Sequence, residues 1–420
     1  MKILIISGSP IIGGGELVAR RLAKSLTHAS CSVIYVSIRP ETIADPAVHH
    51  YIIDAGPIYR RILNSLRYIS YPLSYRLNTE FAIKTIGEII RQEKPDIINI
   101  HIIKQAFWSP DLVGFCAEKA PTIWTLHEMS SFTGRCVHAL SCTKYIVGCD
   151  ETCPNSHIPL IIPRSLTRQR WLHHKKILEN HPSLVAVCPS KWLADRARES
   201  LWAGHRIEVI PNGVDLQEFI PVPRGSAREQ LGLPSEIKLI LVAAVDLASP
   251  LKGGAILRAA LRQVRSRSFG VVTMGGGELF RDPDLDVPVF NLGFVPPSMT
   301  RVVYSAVDFL VHPSQAESFG MVIIEANACG VPVIAFANTA LQEVIQEGIN
   351  GCLVQECTSL ALAETIDSML QRIPDTNICQ SSREYARQYY AIELQAEKYR
   401  MLFSDLINLP LGDKEEQSQT

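Results

Sequence analysis

The sequence is short of net charge, of long apolar runs and of the usual nucleotide-loop signatures. Its 41 Lys and Arg stand against 42 Asp and Glu, a formal charge of −1. That balance gives no global attraction to nucleic acid, so no nucleic-acid partner is expected. No apolar run reaches the roughly 18 residues that span a bilayer. The opening MKILIISGSP has one Lys and a short apolar run. It lacks the longer apolar core and cleavage site of a secretory signal and reads as a first β-strand. A cytoplasmic protein is expected, in which thiols stay reduced unless a metal holds them. Gly13, Gly14 and Gly15 follow that strand, but the stretch is neither G-x-G-x-x-G nor a P-loop ending in Lys-Ser/Thr. Neither a dinucleotide site nor a P-loop is supported.

What the chain does have is length and apolar content. Its 420 residues suggest two domains. With 47% apolar residues, each can bury a core. KILIISG (2–8), CSVIYVSI (31–38), PDIINIH (95–101), APTIWTLHE (120–128) and SLVAVCPS (183–190) read as strands, and ELVARRLAKSL (16–26) has helical spacing. Continuous apolar strands are buried on both faces, as in a parallel sheet. Their alternation with helices predicts an α/β doubly wound architecture. The pattern restarts at RIEVIPNGVD (206–215), where Pro211, Asn212 and Gly213 break the chain. KLILVAAVD (238–246), FGVVTMGGGE (269–278), VPVFNLGFV (287–295), VDFLVHPS (307–314) and VPVIAF (331–336) form a second set. Two α/β domains are expected, 1–207 and 208–380. An amphipathic helix within 381–408 and a polar, disordered tail (409–420) would follow.

The stretch ESFGMVIIEANACG (317–330) carries Glu317 and Glu325 on either side of a mostly apolar run. A buried, unpaired carboxylate is costly, so each needs a partner. MVIIEANAC reads as a helix closed by Gly330 and followed by Pro332. Glu317 and Ser318 then lie in the loop before it, and Glu325 within its first two turns. A helix N-terminus suits a diphosphate, and carboxylates suit a polyol, whose hydroxyls they accept. A nucleotide sugar has both features, with Glu317 for the sugar hydroxyls and Glu325 for the ribose. Lys252 in SPLKGG can supply the cation that a diphosphate wants, although alone such a lysine is more often an ordinary surface residue. Gly14 and Gly15 in the first glycine run, and Gly275 and Gly276 in the second, follow strands and permit close approach of a ligand to the backbone.

Asn212-Gly213-Val214-Asp215 after IP, Lys252-Gly253, MGGGE, NLGFV and HPSQAESFGMVIIEANACGVPVIA together resemble the retaining glycosyltransferases of family 4, which have the GT-B fold. The likeness is dense from about 206 to 355 and thinner at GGGE, TLHE and CPSKW. It implies two Rossmann-like domains facing a cleft, with the nucleotide sugar mainly on the C-terminal domain and the acceptor mainly on the other. The last helix would cross back to the N-terminal domain. Transfer would retain the anomeric configuration and need no catalytic metal. By the same resemblance Glu317 holds the donor sugar, Glu325 binds ribose, and His127 of TLHE faces the donor sugar near the reaction centre. Lys252 neutralises the leaving diphosphate. Ser318, Phe319, Gly320 and Met321 give backbone contacts to diphosphate and sugar, Phe294 and Val295 contact the base, and Asn212 joins the donor-binding set. One departure matters: the family usually has an arginine close before the lysine, and residues 245–251 hold none. Arg281 is one candidate substitute; weak donor binding or lost activity are the other readings.

The segment SSFTGRCVHALSCTKYIVGCDETCP holds Cys136, Cys142, Cys149 and Cys153. Four cysteines within 18 residues point to a structural metal, zinc before an iron–sulfur cluster, with disulfides or free thiols as alternatives. A subset of family-4-like enzymes carries a similar insert after the TLH element. The other seven cysteines read as small core residues. His173-His174 reads as surface, Trp192 as packing and Ser190 as a helix cap. Segments 57–79 and 160–178 are basic and contain no acid. They read either as solvated helix faces or as contacts with an anionic membrane surface or a phosphate-bearing acceptor.

The leading expectation is a retaining glycosyltransferase moving a sugar from a UDP- or GDP-linked donor to a saccharide or lipid-linked saccharide. It would serve surface polysaccharide or exopolysaccharide building, peripherally at the inner face of the membrane. The second is a non-catalytic nucleotide-sugar-binding member acting with a partner enzyme. The third is a GT-B enzyme of another class, such as a nucleotide-sugar epimerase.

Overall fold

The computed structural model describes residues 1–8, 13–38, 45–154, 162–277, 285–373 and 375–408. Arg281 and the tail from 409 lie outside the described residues. The chain divides into two compact units, one of Met1–Pro211 with the chain from Gln395 on, the other Asn212–Leu394.

The first unit is built on a parallel sheet of β1 (Lys2–Ser7), β2 (Ser32–Ser37), β3 (His49–Ile52), β4 (Ile97–Ile100), β5 (Thr122–Thr125), β6 (Val185–Cys188) and β7 (Ile207–Val209). Their order is β3-β2-β1-β4-β5-β6-β7. Alternate residues feed two cores, because successive side chains of a strand leave by opposite faces. Leu4, Ile6, Ile98 and Ile100 point into one core. Ile3, Ile5, Ile97 and Ile123 point into the other, where Leu22 of the helix Gly14–His28 and Tyr399 and Phe403 of the helix Ile392–Asn408 cover them.

The second unit repeats the plan with β8 (Lys238–Asp246), β9 (Phe269–Gly276), β10 (Val289–Asn291), β11 (Phe309–His312), β12 (Val333–Phe336) and β13 (Gly351–Val354). The order is β10-β9-β8-β11-β12-β13, and every pairing is parallel. Leu239, Leu241 and Leu310 face one core; Ile240, Val242 and Val311 face the other.

The strands missing from the sequence reading are β3 and β13. Each is four residues long, lies at a sheet edge and is only partly buried. Neither needs the continuous apolar run that marks an inner strand. The terminal helix, read as one, is two: Thr376–Tyr390 and Ile392–Asn408. The break falls where the chain crosses Val214. Val214 N donates to Tyr390 O (2.7 Å), and Ile392 N donates to Val214 O (3.0 Å).

In each sheet the strand order turns back once, between β1 and β4 and between β8 and β11. The loops off the carboxyl ends of those strands form the crevice in which doubly wound sheets bind ligands. Lys252 and Glu317 stand on those loops in the second unit, and Gly15 and His127 line the cavity there in the first, whereas Asn212, Phe294 and the cysteine segment follow other strands.

Candidate active site

In the second unit, β8 runs into a tight turn, Pro250–Lys252, and then the helix Gly254–Gln263. β11 ends at His312 and leads through residues 313–320 into the helix Met321–Ala328. The two loops are stitched at one carbonyl. Gln315 N (2.8 Å) and Ser314 Oγ (3.0 Å) both donate to Leu251 O. Gly253 is left-handed (φ +71°), and a Cβ there would lie 1.8 Å from Pro313 O. Only glycine lets the turn close this far.

That closure brings Lys252 Nζ to 2.5 Å from Glu317 Oε1. His312 Nε2 lies 3.0 Å from the same oxygen, and Glu317 N donates to Thr339 Oγ1 (3.1 Å). Burial by itself raises the Glu317 carboxyl, but the Lys252 ammonium and the His312 imidazole outweigh it and hold the group well below the usual carboxylate range. The carboxylate is ionised, with a cation set against it. Sequence reasoning named Lys252 and Glu317 but missed His312, whose only signal was a histidine closing a strand five residues ahead of the glutamate.

Glu325 has a different environment. It is buried, on the second turn of its helix, and accepts a hydrogen bond from Tyr304 OH (3.1 Å). Tyr304 was not foreseen from sequence. Gly275 is left-handed (φ +123°), and a Cβ there would fall 1.7 Å from Ala244 O. At Gly276 a Cβ would reach 2.8 Å from the Phe294 ring. The glycine turn after β9 therefore meets Phe294, which is 73% exposed, while Val295 packs against the core. Ser318 and Asn212 are buried. Phe319 turns its ring inward, edge-on to Tyr390 at 5.6 Å between centroids. Gly320, left-handed at φ +104°, leads into Met321, the first helical residue.

In the first unit the crevice is a cavity of about 170 Å³ lined by Gly15, His101, Lys104, His127 and Glu128. Gly14 is exposed at the start of its helix. His127 Nε2 lies 3.0 Å from His101 Nδ1. Burial lowers His127 to about 4 and, with His127 beside it, lowers His101 well below the ordinary histidine value. Both rings are neutral at pH 7. His101, directly after β4, was missed by sequence reasoning. Lys104 donates to Arg135 O (3.2 Å) and stands 3.9 Å from Glu128; burial lowers its ammonium too.

The helix Thr167–Asn180 corrects one reading. Trp171 and His174 are buried, and the Trp171 indole donates to Tyr145 O (3.2 Å). His174 is therefore interior, because the helix presents that face to the core. His173 bonds Asp111 (2.8 Å). Arg170 is held by Gly134 O (3.2 Å) and lies over the Tyr75 ring. Ser190 does cap the helix Lys191–Arg198, accepting from Leu193 N (3.2 Å). Of the scattered cysteines, Cys31, Cys116, Cys188 and Cys329 are buried, whereas Cys357 is exposed and Cys352 and Cys379 are half-buried.

Cys136, Cys142, Cys149 and Cys153 line one small cavity. Cys136 Sγ and Cys153 Sγ are 3.9 Å apart, close to the ~3.8 Å edge of a tetrahedron with Zn–S bonds of ~2.3 Å. Among the described residues, however, no three His, Cys, Asp or Glu side chains are grouped to hold a metal ion. The donor set suits zinc in kind; its arrangement supplies one such pair.

Two parallel Rossmann-like units, each with one reversal of strand order in its sheet, define the GT-B class. Solved structures agree in fold. Sucrose-phosphate synthase from Thermosynechococcus elongatus is 21% identical, covers 96% of this chain and 98% of its own, and superposes with a TM-score of 0.70. HepE from Anabaena, solved with UDP and glucose, is 21% identical, covers 96% and 99%, and has a TM-score of 0.67.

Two family models match in succession, Glycosyltransferase Family 4 over residues 12–218 and Glycosyl transferases group 1 over 237–372. The chain belongs to glycosyltransferase family 4. The D-inositol 3-phosphate glycosyltransferase of Mycolicibacterium smegmatis is 36% identical over 216 residues, a stretch covering 48% of each chain. The match thus spans about half the length of that relative.

Proposed function

We propose that the chain is a retaining glycosyltransferase that takes a sugar from a UDP- or GDP-linked donor and passes it to a saccharide or lipid-linked saccharide. The observation that carries this reading is the Lys252–Glu317–His312 cluster at the β8/β11 crevice. An ionised carboxylate accepts sugar hydroxyls, and the ammonium beside it meets the charge that develops on a departing diphosphate. The exposed Phe294 beside the Gly276 turn offers a face for the base. Glu325 would take the ribose alongside Tyr304. In the first unit, His127 would face the donor sugar and the crevice around Lys104 the acceptor. No catalytic metal enters this scheme, and a zinc at the four cysteines would be structural.

Among the described residues no helix is long and apolar enough to cross a membrane. A peripheral contact, in surface polysaccharide building at the inner face, fits the helix Gly56–Ile69. There Ile58 and Ile62 are 76% and 50% exposed, Arg61 is exposed between them, and the helix has no acid. The helix Thr167–Asn180 fits it less well, since its Trp171 is buried.

The test is thermal stabilisation by UDP-, GDP- and ADP-sugars and by the free diphosphates, followed by turnover. One base with its sugar should raise the melting temperature by mass action. Glu317→Gln should remove the increment that the sugar adds over the diphosphate. Equal shifts with every nucleotide, or an unchanged Glu317→Gln response, would sink this assignment. A second reading, a non-catalytic member that binds donor beside a partner enzyme, is favoured by the missing arginine ahead of Lys252. Donor binding without transfer or hydrolysis would select it.

A further inference from the structure

A buried line of polar side chains crosses the first unit and ends on His127. Tyr399 OH lies 3.0 Å from Thr125 Oγ1. Thr125 Oγ1 is 2.8 Å from Asn99 Oδ1. Asn99 Nδ2 is 3.0 Å from His101 Nε2, and His101 Nδ1 is 3.0 Å from His127 Nε2. Tyr399, Thr125, Asn99 and His101 are all buried. The two imidazoles stack at 5.2 Å between centroids.

Such a line has two polarities. In one, Tyr399 donates to Thr125, Thr125 to Asn99 Oδ1, Asn99 Nδ2 to His101 Nε2, and His101 Nδ1–H to His127 Nε2. The His127 proton then sits on Nδ1. In the other, every bond is reversed and the asparagine amide is turned over. His127 then carries its proton on Nε2 and offers a lone pair at Nδ1.

The far end decides between them. Among the described residues Tyr399 OH meets only Thr125 Oγ1. In the reversed line the phenol accepts from Thr125, and its own proton is left in the core without an acceptor. A buried donor left unsatisfied bears its full desolvation cost. In the forward line that proton is the first one used, and each member donates towards the crevice. Protonating either ring would place a charge in this buried line, which the lowered His101 and His127 values disfavour.

We infer that the hydroxyl end of this line, Thr125 with Tyr399, sets its polarity and so holds His127 as the neutral Nδ1–H tautomer, presenting a hydrogen-bond donor to the ligand crevice. Tyr399, Thr125, Asn99 and His101 are positioning residues in this scheme. His127 recognises a lone-pair oxygen, such as a sugar hydroxyl or ring oxygen, and does not act as a base towards a substrate hydroxyl. That His127 meets the substrate rests on the function proposed above; its tautomer does not.

The tautomer is read directly from imidazole ¹⁵N shifts and two-bond couplings of the full chain labelled with ¹⁵N-histidine at pH 7, without ligand. His101→Gln and His127→Gln assign the two rings. The expected result is Nδ1–H on both rings, against the Nε2–H form that free imidazoles favour. Thr125→Val removes the hydroxyl that donates to Asn99, whereas Tyr399→Phe leaves Thr125 as the terminal hydroxyl, whose own proton a reversed line would leave without an acceptor. Thr125→Val should move both rings towards Nε2–H while the remaining histidines keep their shifts, and Tyr399→Phe should leave both rings Nδ1–H. An Nε2–H or doubly protonated His127 in the unaltered chain overturns the inference, whatever the variants do. So does an unchanged His127 in folded Thr125→Val. Donor stabilisation, measured separately, reports on the proposed function and leaves this result standing either way.

Discussion

The two crevices sit at equivalent places in equivalent sheets, and the groups at their centres differ, although Lys104 and Glu128 place a charged pair on the lining of the first as well. At the β8/β11 switch the carboxylate of Glu317 is ionised and faces a lysine. At the β1/β4 switch the principal groups are two neutral imidazoles joined to a tyrosine by an uncharged hydrogen-bonded line. A doubly wound sheet supplies a place for a ligand, and the side chains at its strand ends set which kind. The charged crevice suits a diphosphate beside a polyol. The uncharged histidine line suits orientation of hydroxyls, with Lys104 and Glu128 as the charges on the same lining.

The largest break in this contrast should come from removing the cation. Lys252→Met keeps the stem of the side chain and leaves Glu317 with His312 alone. Donor-dependent turnover should fall by at least about 10²-fold, the scale of losing one preorganised stabilising group. The variant should also lose about 1–3 kcal/mol of stability, since a largely buried carboxylate is left under-compensated. Adding Glu317→Gln to it should restore part of that stability. Urea unfolding of the four forms gives the cycle. A coupling below about 0.5 kcal/mol would mean that the two residues do not act as a unit.

A graded second effect separates the crevices by their glycines. Gly253→Ala places a methyl against a backbone carbonyl at a positive φ and should cost more than about 1 kcal/mol. Gly15→Ala meets Ile102 Cδ1 at 2.9 Å and the His127 ring at 3.1 and 3.2 Å, and the glycine is not in the left-handed region. Side chains can yield where a carbonyl cannot. The Gly15 variant should stay within about 1 kcal/mol of the parent while shifting the His127 ring resonances. Comparable losses of stability would show that the first crevice is as rigidly closed as the second.

Sequence reading recovered the inner strands, because buried parallel strands are nearly continuous apolar runs, but it began the second set at 206–215, whereas β7 pairs with β6 as the last strand of the first sheet. It also paired Lys252 with a diphosphate and Glu317 with a sugar in intent. It did not show that the two touch. That contact depends on Gly253 folding against Pro313, a closeness between residues 60 apart in the chain. Tyr304 beside Glu325, and Tyr399 at the end of the His127 line, were invisible for the same reason. An ordinary-looking tyrosine in an amphipathic helix reads as core until its hydroxyl partner is known. The edge strands β3 and β13 were missed because half-exposed strands carry no distinctive apolar run.

The smallest effect, and the sharpest on the contrast itself, lies in acid. Burial lowers His127 to about 4, and His101 and His174 fall well below the ordinary value of ~6.5. In the unfolded chain these rings take up protons as pH drops through ~6.5, while the folded chain resists. Stability should therefore decline between about pH 6.5 and 4. Glu317 behaves otherwise. Its folded value is depressed, so its contribution is complete above the unfolded carboxylate value of ~4.3 and is lost only as pH falls below that, towards the folded value. Between pH 7 and 5 the acid sensitivity belongs to the histidines of the first unit. His127→Gln should reduce the difference in unfolding free energy between those pH values by about 1 kcal/mol, allowing for the partial exposure of the ring. Glu317→Gln should lower stability at both pH values, and any change it makes in that difference runs through His312, 3.0 Å away. If His127→Gln left the pH 7-to-5 difference unchanged, the buried, uncharged histidine line of the first unit would not be a source of acid sensitivity.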